Sequence, residues 1–300
     1  MAAGGSTKVV VFALLANLGI AVAKLVAHMV TGSTAMLAES IHSFADSGNQ
    51  ALLLVGSARA RRSPDARHPL GYGREAYFWA MLVAVVLFSL GGLFSLYEGI
   101  HKLQSPQPLE SWPWAVGVLI LGVGLEGASF LAAWRVCSQV RRGTSLLRWA
   151  QRTGNVNLLV VIFEDLAALI GLLLALAAVG LTVITGDPMW DAAGTCVIGV
   201  LLLCVAVFVG LQVRRLIAGS AATPETHDTI RAIWETRGFD VLRLIVVWSG
   251  PSQMMVACKF RPEDCEISAR ELVQRMNDAE TAVRAAVPEV GFQFSEPDVL

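Results

Sequence analysis

The sequence predicts an α-helical membrane protein with six transmembrane helices, followed by a small α+β domain of element order αββαβ. Three observations predict it. The 300 residues are 55% hydrophobic and only 16% charged, with a mean hydropathy of +0.59, far from the balance of a soluble enzyme of this length. Six apolar runs, each near or above the ~20 residues a helix needs to cross a bilayer, fill the chain up to about residue 213. After Arg215 the composition changes, and the remainder reads as a compact globular domain. The net charge of −1 points to no partner class, and no nucleic-acid partner is expected.

The spans are expected near residues 8–30, 33–57, 77–101, 112–136, 155–181 and 189–213. Lys8 followed by a run containing Ala21-Val22-Ala23 resembles a signal peptide, but the run continues through Lys24 to Val30 with five more behind it, which fits a first transmembrane helix. Arginines orient the set. Arg59, Arg61, Arg62, Arg67 and Arg74 lie between the second and third spans, Arg135, Arg141, Arg142, Arg148 and Arg152 between the fourth and fifth, and Arg214 and Arg215 after the sixth. The opposite connections hold TGST, a single Lys102, and Asp187 with Asp191. By the positive-inside rule both termini are cytoplasmic. With no organellar transit segment evident, the expected location is the plasma (inner) membrane. Residues 1–216 are then the membrane domain and 217–300 a cytoplasmic dimerisation and regulatory domain.

In that tail, Pro224 to Arg237 predicts a helix, with Thr223 as N-cap and Pro224 in the first turn. Val241–Trp248 and Met254–Phe260, rich in β-branched and aromatic residues and separated by Ser-Gly-Pro-Ser, predict paired strands. Ile267–Val287 predicts a second helix with Leu272, Val273, Met276, Ala279 and Val283 on its apolar face, and Phe292–Phe294 a closing strand. A unit this small has a modest core, so pairing between two copies would stabilise it. The five cysteines, Cys137, Cys196, Cys204, Cys258 and Cys265, form no CxxC pair, so neither a disulfide framework nor a thiolate zinc site is expected.

Two spans carry charges that need a reason. The second holds Glu39, His42 and Asp46 at i, i+3 and i+7, one stripe of a helix. Histidine with carboxylates on one face is metal-ligand chemistry. An ionisable group at the bilayer centre costs roughly 2.5–3.5 kcal/mol on insertion scales and usually marks an ion or proton path. The fifth span repeats the anomaly with Glu164 and Asp165 near its middle. The two spans cross in opposite directions, so Asp46 and Asp165 come to similar depth and can face one site. Adjacent helical residues diverge by about 100°, so only one of Glu164 and Asp165 can point straight at it.

The block GST-xxx-AES-IHS-xxD-xxNQ in the second span, HPLGYGRE from His68 to Glu75, Asn17 and Lys24 in the first span, and the αββαβ tail together resemble the cation diffusion facilitators, proton-coupled exporters of divalent metals. The span-two His-xxx-Asp with a span-five Glu-Asp looks most like the zinc-transporter-nine-like branch. The resemblance implies a transport site of two ligands from each of these spans: His42 and Asp46 from one, and the positions of Val161 and Asp165 from the other. Val161 cannot bind metal, so water or Glu164 would complete the shell. It also implies a loop site at Asp65 and His68, where Tyr72 stands in the third ligand's place, and a twofold homodimer in a lipid bilayer. A tail metal site, usually histidine-rich, has only His227, Glu296 and Asp298 to draw on. Glu126 sits where the family often carries a polar residue.

The expected activity is therefore exchange of protons for a divalent cation, zinc first, with manganese, cobalt or iron(II) as competitors at an oxygen-rich site. No resident cofactor is expected, and no enzyme: the His-Glu-x-x-His of a membrane metalloprotease does not occur. A non-transporting scaffold that keeps the fold is the other alternative, raised by Val161 and opposed by His42, Asp46 and Asp165. Other polar residues have structural readings beside these. Lys24 and His28, and Glu98 and His101, are placed near the outer interface. Glu39 reads equally as a gateway carboxylate or a packing partner. Arg67, Arg74 and Glu75 suit an inter-helix or dimer charge network, and Gly122, Gly124, Gly127 and Ala128 suit close helix packing.

Overall fold

The computed structural model describes residues 2–31, 34–105, 112–141, 143–264 and 266–298. Long helices dominate: α1 (Ala2–Thr31), α2 (Thr34–Ala60), α3 (Glu75–Val86) continuing through a π-helical segment Leu87–Leu93 into α4 (Phe94–Gln104), α5 (Trp112–Arg141), the short α6 (Leu146–Ala150), α7 (Val156–Thr185) and α8 (Met189–Ala218). Among the described residues, four helices are long and apolar enough to cross a membrane: Glu75–Gln104, α5, α7 and α8, each 30 residues. At 1.5 Å per residue each is about 45 Å long.

Helix α7 is central. It packs on α5, α8 and α1, and every residue from Val156 to Asp165 is buried. Asn155 starts it by accepting a hydrogen bond from the Leu158 backbone N–H at 3.2 Å, and Gly186 ends it in the left-handed conformation at φ 71°. The third span is not the uninterrupted α-helix that its sequence suggests. Its π segment contains Gly91 and Gly92, and a Cβ on Gly92 would come within 2.6 Å of the Leu203 side chain of α8. The close crossing continues along α4, where Gly99 lies on Cys196 and Gly199 lies on Leu96. These glycines let two backbones approach without a hydrophobic force between them, as membrane helices require. The expected series on α5 contributes less: Gly122 faces Leu172, whereas Gly124 and Gly127 have nothing within 4 Å.

The tail follows the expected order: α9 (Pro224–Glu235), β1 (Phe239–Gly250), β2 (Gln253–Pro262), α10 (Ala269–Ala286) and β3 (Val290–Pro297). Thr223 caps α9 and Ser268 caps α10, each accepting from a backbone N–H three residues on. The sheet order is β1-β2-β3, with β1 antiparallel and β3 parallel to β2. One sheet face is covered by the helices around a core of Trp234, Phe239 and Phe260, whose ring centroids lie 4.6–5.4 Å apart. Ala279 and Val283 of α10 are fully buried, but Val273 is 53% exposed, because it falls off the stripe that Leu272, Met276, Ala279 and Val283 define. The other face carries two cross-strand rows, Ile245–Ala257–Phe294 and Val247–Met255–Phe292.

The tail docks on the arginine-bearing ends of the long helices. A Cβ on Gly73 would lie 2.5 Å from the Ser249 carbonyl oxygen, and Gly154, just before α7, abuts the Trp248 ring. Arg152 pairs with Glu225 at 3.2 Å. Cys137, Cys196, Cys204 and Cys258 carry free thiols, and Cys265 and Arg142 lie outside the described residues.

Candidate metal centre

Four carboxylates, Asp46 on α2, Glu126 on α5 and Glu164 and Asp165 on α7, lie within electrostatic reach of one another. Glu164, Asp165 and Glu126 are each at least nine-tenths buried, and Asp46 is half-buried. Asp46 interacts electrostatically with both Glu164 and Asp165, and Glu126 with Glu164. The divergence of adjacent helical positions is visible in their partners. Glu164 turns to α2, where Asn49 Nδ2 donates to its Oε1 at 2.9 Å. Asp165 turns to α5, where Ser129 Oγ donates to its Oδ2 at 2.8 Å. Both interact electrostatically with Asp46.

Among the described residues, several buried polar atoms around this cluster have no hydrogen-bond partner: Glu164 Oε2, Asn49 Oδ1 and both amide atoms of Gln50. An orphaned buried polar atom costs about 1–3 kcal/mol, so their concentration beside carboxylates fits a place where a cation and its water pass. Among the described residues, no three His, Cys, Asp or Glu side chains already stand at metal-binding geometry. The side chains of His42 and Glu39, both on α2, lie outside the described residues, as do those of Lys24 and His28. Val161 is fully buried and precedes Asp165 by one turn.

Ser129 is a neighbour of the cluster that the sequence reading passed over, Asn49 and Gln50 entered it only as the end of the span-two block, and Glu126 received no role there. The signal was present. Glu126 is the only charge in the apolar core of α5, and Ser129 is one turn away on the same stripe.

The loop pair has a different environment. Asp65 is exposed, and both its oxygens are engaged: Oδ1 accepts from the backbone N–H groups of Arg67 at 2.9 Å and His68 at 2.7 Å, and Oδ2 from the Tyr72 hydroxyl at 2.6 Å. The Tyr72 hydrogen bond, with those from the backbone, holds the Asp65 carboxyl below its ordinary range. The His68 ring lies against Tyr72 in a tilted arrangement, centroids 4.2 Å apart. Tyr72 thus closes a turn with Asp65 where a third ligand was sought.

Glu75 accepts from Trp79 Nε1 at 3.0 Å within α3 and lies 3.9 Å from Arg59 of α2, an inter-helix contact with a different arginine from the Arg67 and Arg74 expected. At the opposite end Lys102, the single lysine or arginine expected in its connection, pairs with Asp191 at 3.0 Å. In the tail, Lys259 binds Asp298 at 2.8 Å and Glu296 at 3.7 Å, so both carboxylates offered for a tail metal site already face a cation. His227 lies beside Asp228 instead.

The family model described as the cation efflux transmembrane domain matches residues 10–217. The proton-coupled zinc antiporter SLC30A9, mitochondrial, of Xenopus laevis is 34% identical over 249 residues, which is 79% of this chain and 44% of that protein. The human protein of the same name is 32% identical over 252 residues, with the same coverage. Zinc transporter ZitB of Pectobacterium atrosepticum is 27% identical over 200 residues, 65% of this chain and 57% of that protein. The chain therefore spans less than half the length of the SLC30A9 proteins.

These relatives correct the expected location. The SLC30A9 proteins are named mitochondrial, which conflicts with the plasma (inner) membrane assignment and its cytoplasmic termini. The physical reason is that arginine asymmetry fixes which chain segments share a side of a bilayer, and carries no information about which bilayer it is. On the match over residues 10–217 and these relatives, the chain belongs to the cation efflux family, the cation diffusion facilitators, on its zinc-transporter-nine-like branch.

Proposed function

We propose that this chain is a proton-coupled antiporter of divalent metal cations, with zinc as the principal substrate. One observation carries the reading: buried carboxylates of α5 and α7, two helices apolar enough to cross a bilayer, lie within electrostatic reach of each other and of Asp46 on α2, where a charge without a transported partner is costly. The names of the relatives, zinc antiporters and zinc transporters, support zinc. In this reading α1 and α2 also cross, making six spans, and the tail shares the arginine-rich side with both termini.

The site uses His42 and Asp46 of α2 with Asp165 of α7 as ligands, and Glu164 or water completes the shell at the place Val161 leaves unfilled. Glu39 stands one turn outward as a gateway carboxylate. Asp65 and His68 serve as a loop cap. Each ligand must be deprotonated to hold metal, so binding expels protons and reprotonation expels metal, which couples the two gradients. Two copies assemble through the tail, whose open sheet face presents Ile245 and Phe294 at 39% and 53% exposure to a second copy. The two halves of such an interface are self-complementary, as twofold symmetry demands.

The test is flux in proteoliposomes over a panel of divalent ions, with a pH-sensing dye inside. Zinc movement accompanied by opposite proton movement is expected, with weaker transport of manganese, cobalt or iron(II). Absence of flux for every ion would favour a non-transporting scaffold.

A further inference from the structure

Buried donors without acceptors gather where the tail meets the arginine-bearing ends of the long helices. Among the described residues, Nε and Nη2 of Arg215, Oη of Tyr77 and Nε1 of Trp248 are buried with no hydrogen-bond partner. A buried polar group without a partner is costly, and a buried charge without a counter-charge more so. Two carboxylates on this side are engaged with other cations, Glu75 with Arg59 and Glu225 with Arg152. The unpartnered acceptor Asn157 Oδ1 belongs to the α2 side of α7, where Asn157 Nδ2 donates to Ser57 Oγ at 2.9 Å.

Helix register brings the three residues to one depth. Helices α7 and α8 run antiparallel, with Gly171 lying on Ile198 and the Phe163 and Phe208 ring centroids 4.8 Å apart. Two turns further on each helix, along the same stripe, Arg215 comes opposite Val156 in the first turn of α7. On the α3 side a Cβ on Gly210 would lie 3.9 Å from that of Ala84, and two turns further Tyr77 comes opposite Ile217. Trp248 spans both neighbours: its ring abuts Gly154, just before α7, and its backbone N–H donates at 3.0 Å to the carbonyl of Ser220, just after α8. The positive end of α7, a helix of 30 residues, adds to the field there. Arg215 as a whole is half-buried, so the place is reached from the surface.

We propose that Arg215, Tyr77 and Trp248 form a binding site for an oxyanion of the phosphate class, inorganic or carried on a lipid headgroup, at the junction of α3, α7, α8 and the tail. Nε and Nη2 are one edge of the guanidinium, the edge that holds an oxyanion through two parallel N–H bonds. The phenol and the indole add single bonds from two other elements, which suits a tetrahedral anion with oxygens on several sides better than a planar carboxylate. Asp165 lies nine residues further along α7, about 14 Å away, so this site is separate from the carboxylate centre and does not depend on the transport reading. Bound there, the anion ties the tail to three long helices.

The experiment follows thermal unfolding of the metal-free full chain with two probes: inorganic phosphate at constant ionic strength in lipid-free detergent, and phosphatidic acid in nanodiscs otherwise made of phosphatidylcholine. A saturable rise in the unfolding midpoint is expected, and the probe that produces it assigns the source of the phosphate. Trp248→Phe and Tyr77→Phe keep an aromatic ring and remove the donor, and each is expected to weaken binding of that probe about tenfold, as loss of a hydrogen bond to a charged group does. Arg215→Gln is expected to abolish the response. Should Arg215→Gln fail to fold, the two ring variants decide. No response of wild type to either probe overturns the site, as does a wild-type response in Arg215→Gln or unchanged affinity in either ring variant.

Discussion

Glu164 and Asp165 are neighbours in sequence yet are held by different helices, the first by Asn49 of α2 and the second by Ser129 of α5. The pair therefore ties three helices around one centre.

Hydrogen bonds to charged groups contribute about 1.5–3 kcal/mol, and about 1.4 kcal/mol is tenfold in affinity. Ser129→Ala is accordingly expected to weaken apparent zinc affinity by about tenfold, with maximal flux less affected, since Asp165 remains but is no longer oriented. Concentration dependence of zinc uptake reads this directly. An unchanged half-saturation concentration would show that Ser129 does not position the site.

Val161 lies one turn from Asp165 on the same stripe, so Val161→His offers an imidazole without moving the backbone. Imidazole shifts preference towards zinc, whereas carboxylate and water suit manganese. The expected result is less inhibition of zinc flux by excess manganese in the variant than in wild type. An equal ratio in both would mean that position 161 does not reach the metal.

Assembly is tested on the tail's open sheet face. A charge placed in an apolar interface core is strongly unfavourable, so Phe294→Asp combined with Ile245→Asp is expected to shift the full chain from dimer to monomer in detergent at micromolar concentration, with transport reduced rather than lost. A wild-type mass equal to one chain would remove the dimer from the account.

The Asp65 turn carries its own pH dependence. Its carboxyl is held low in the folded state, so the contribution of the turn is present above the unfolded value of about 3.9 and is lost as pH falls through the folded value. Tyr72→Phe removes the largest cause, and the Asp65 carboxyl resonance in a pH titration is expected to move its midpoint upward. A midpoint unaffected by the substitution would show that the backbone N–H groups alone set it.

The sequence made the helices legible because a membrane helix announces itself by length and apolarity, and it made the tail legible through caps such as Thr223 and through strand composition. Asp46, Glu164 and Asp165 were legible for the same reason in reverse, as charges in apolar surroundings. The bonds from Ser129 to Asp165 and from Asn49 to Glu164 were not, because a small polar residue in a membrane helix is common and its partner is set by how helices rotate against each other. The π segment was hidden too: Gly91-Gly92 in an apolar run fits an ordinary helix until Leu203 of the neighbouring helix is known to press on it. Lys259 shows the opposite failure, since its pairing with Glu296 and Asp298 depends on the parallel register of β2 and β3, which composition does not reveal.

The most direct test follows zinc and protons together in proteoliposomes, comparing wild type with Asp165→Ala at matched reconstitution and with helicity checked by circular dichroism. Wild type is predicted to move zinc against an opposite proton flux, and Asp165→Ala to lose both while keeping its helical content. Zinc flux at the wild-type rate in Asp165→Ala, with protons still coupled, would contradict the assignment of the carboxylate centre as the transport site.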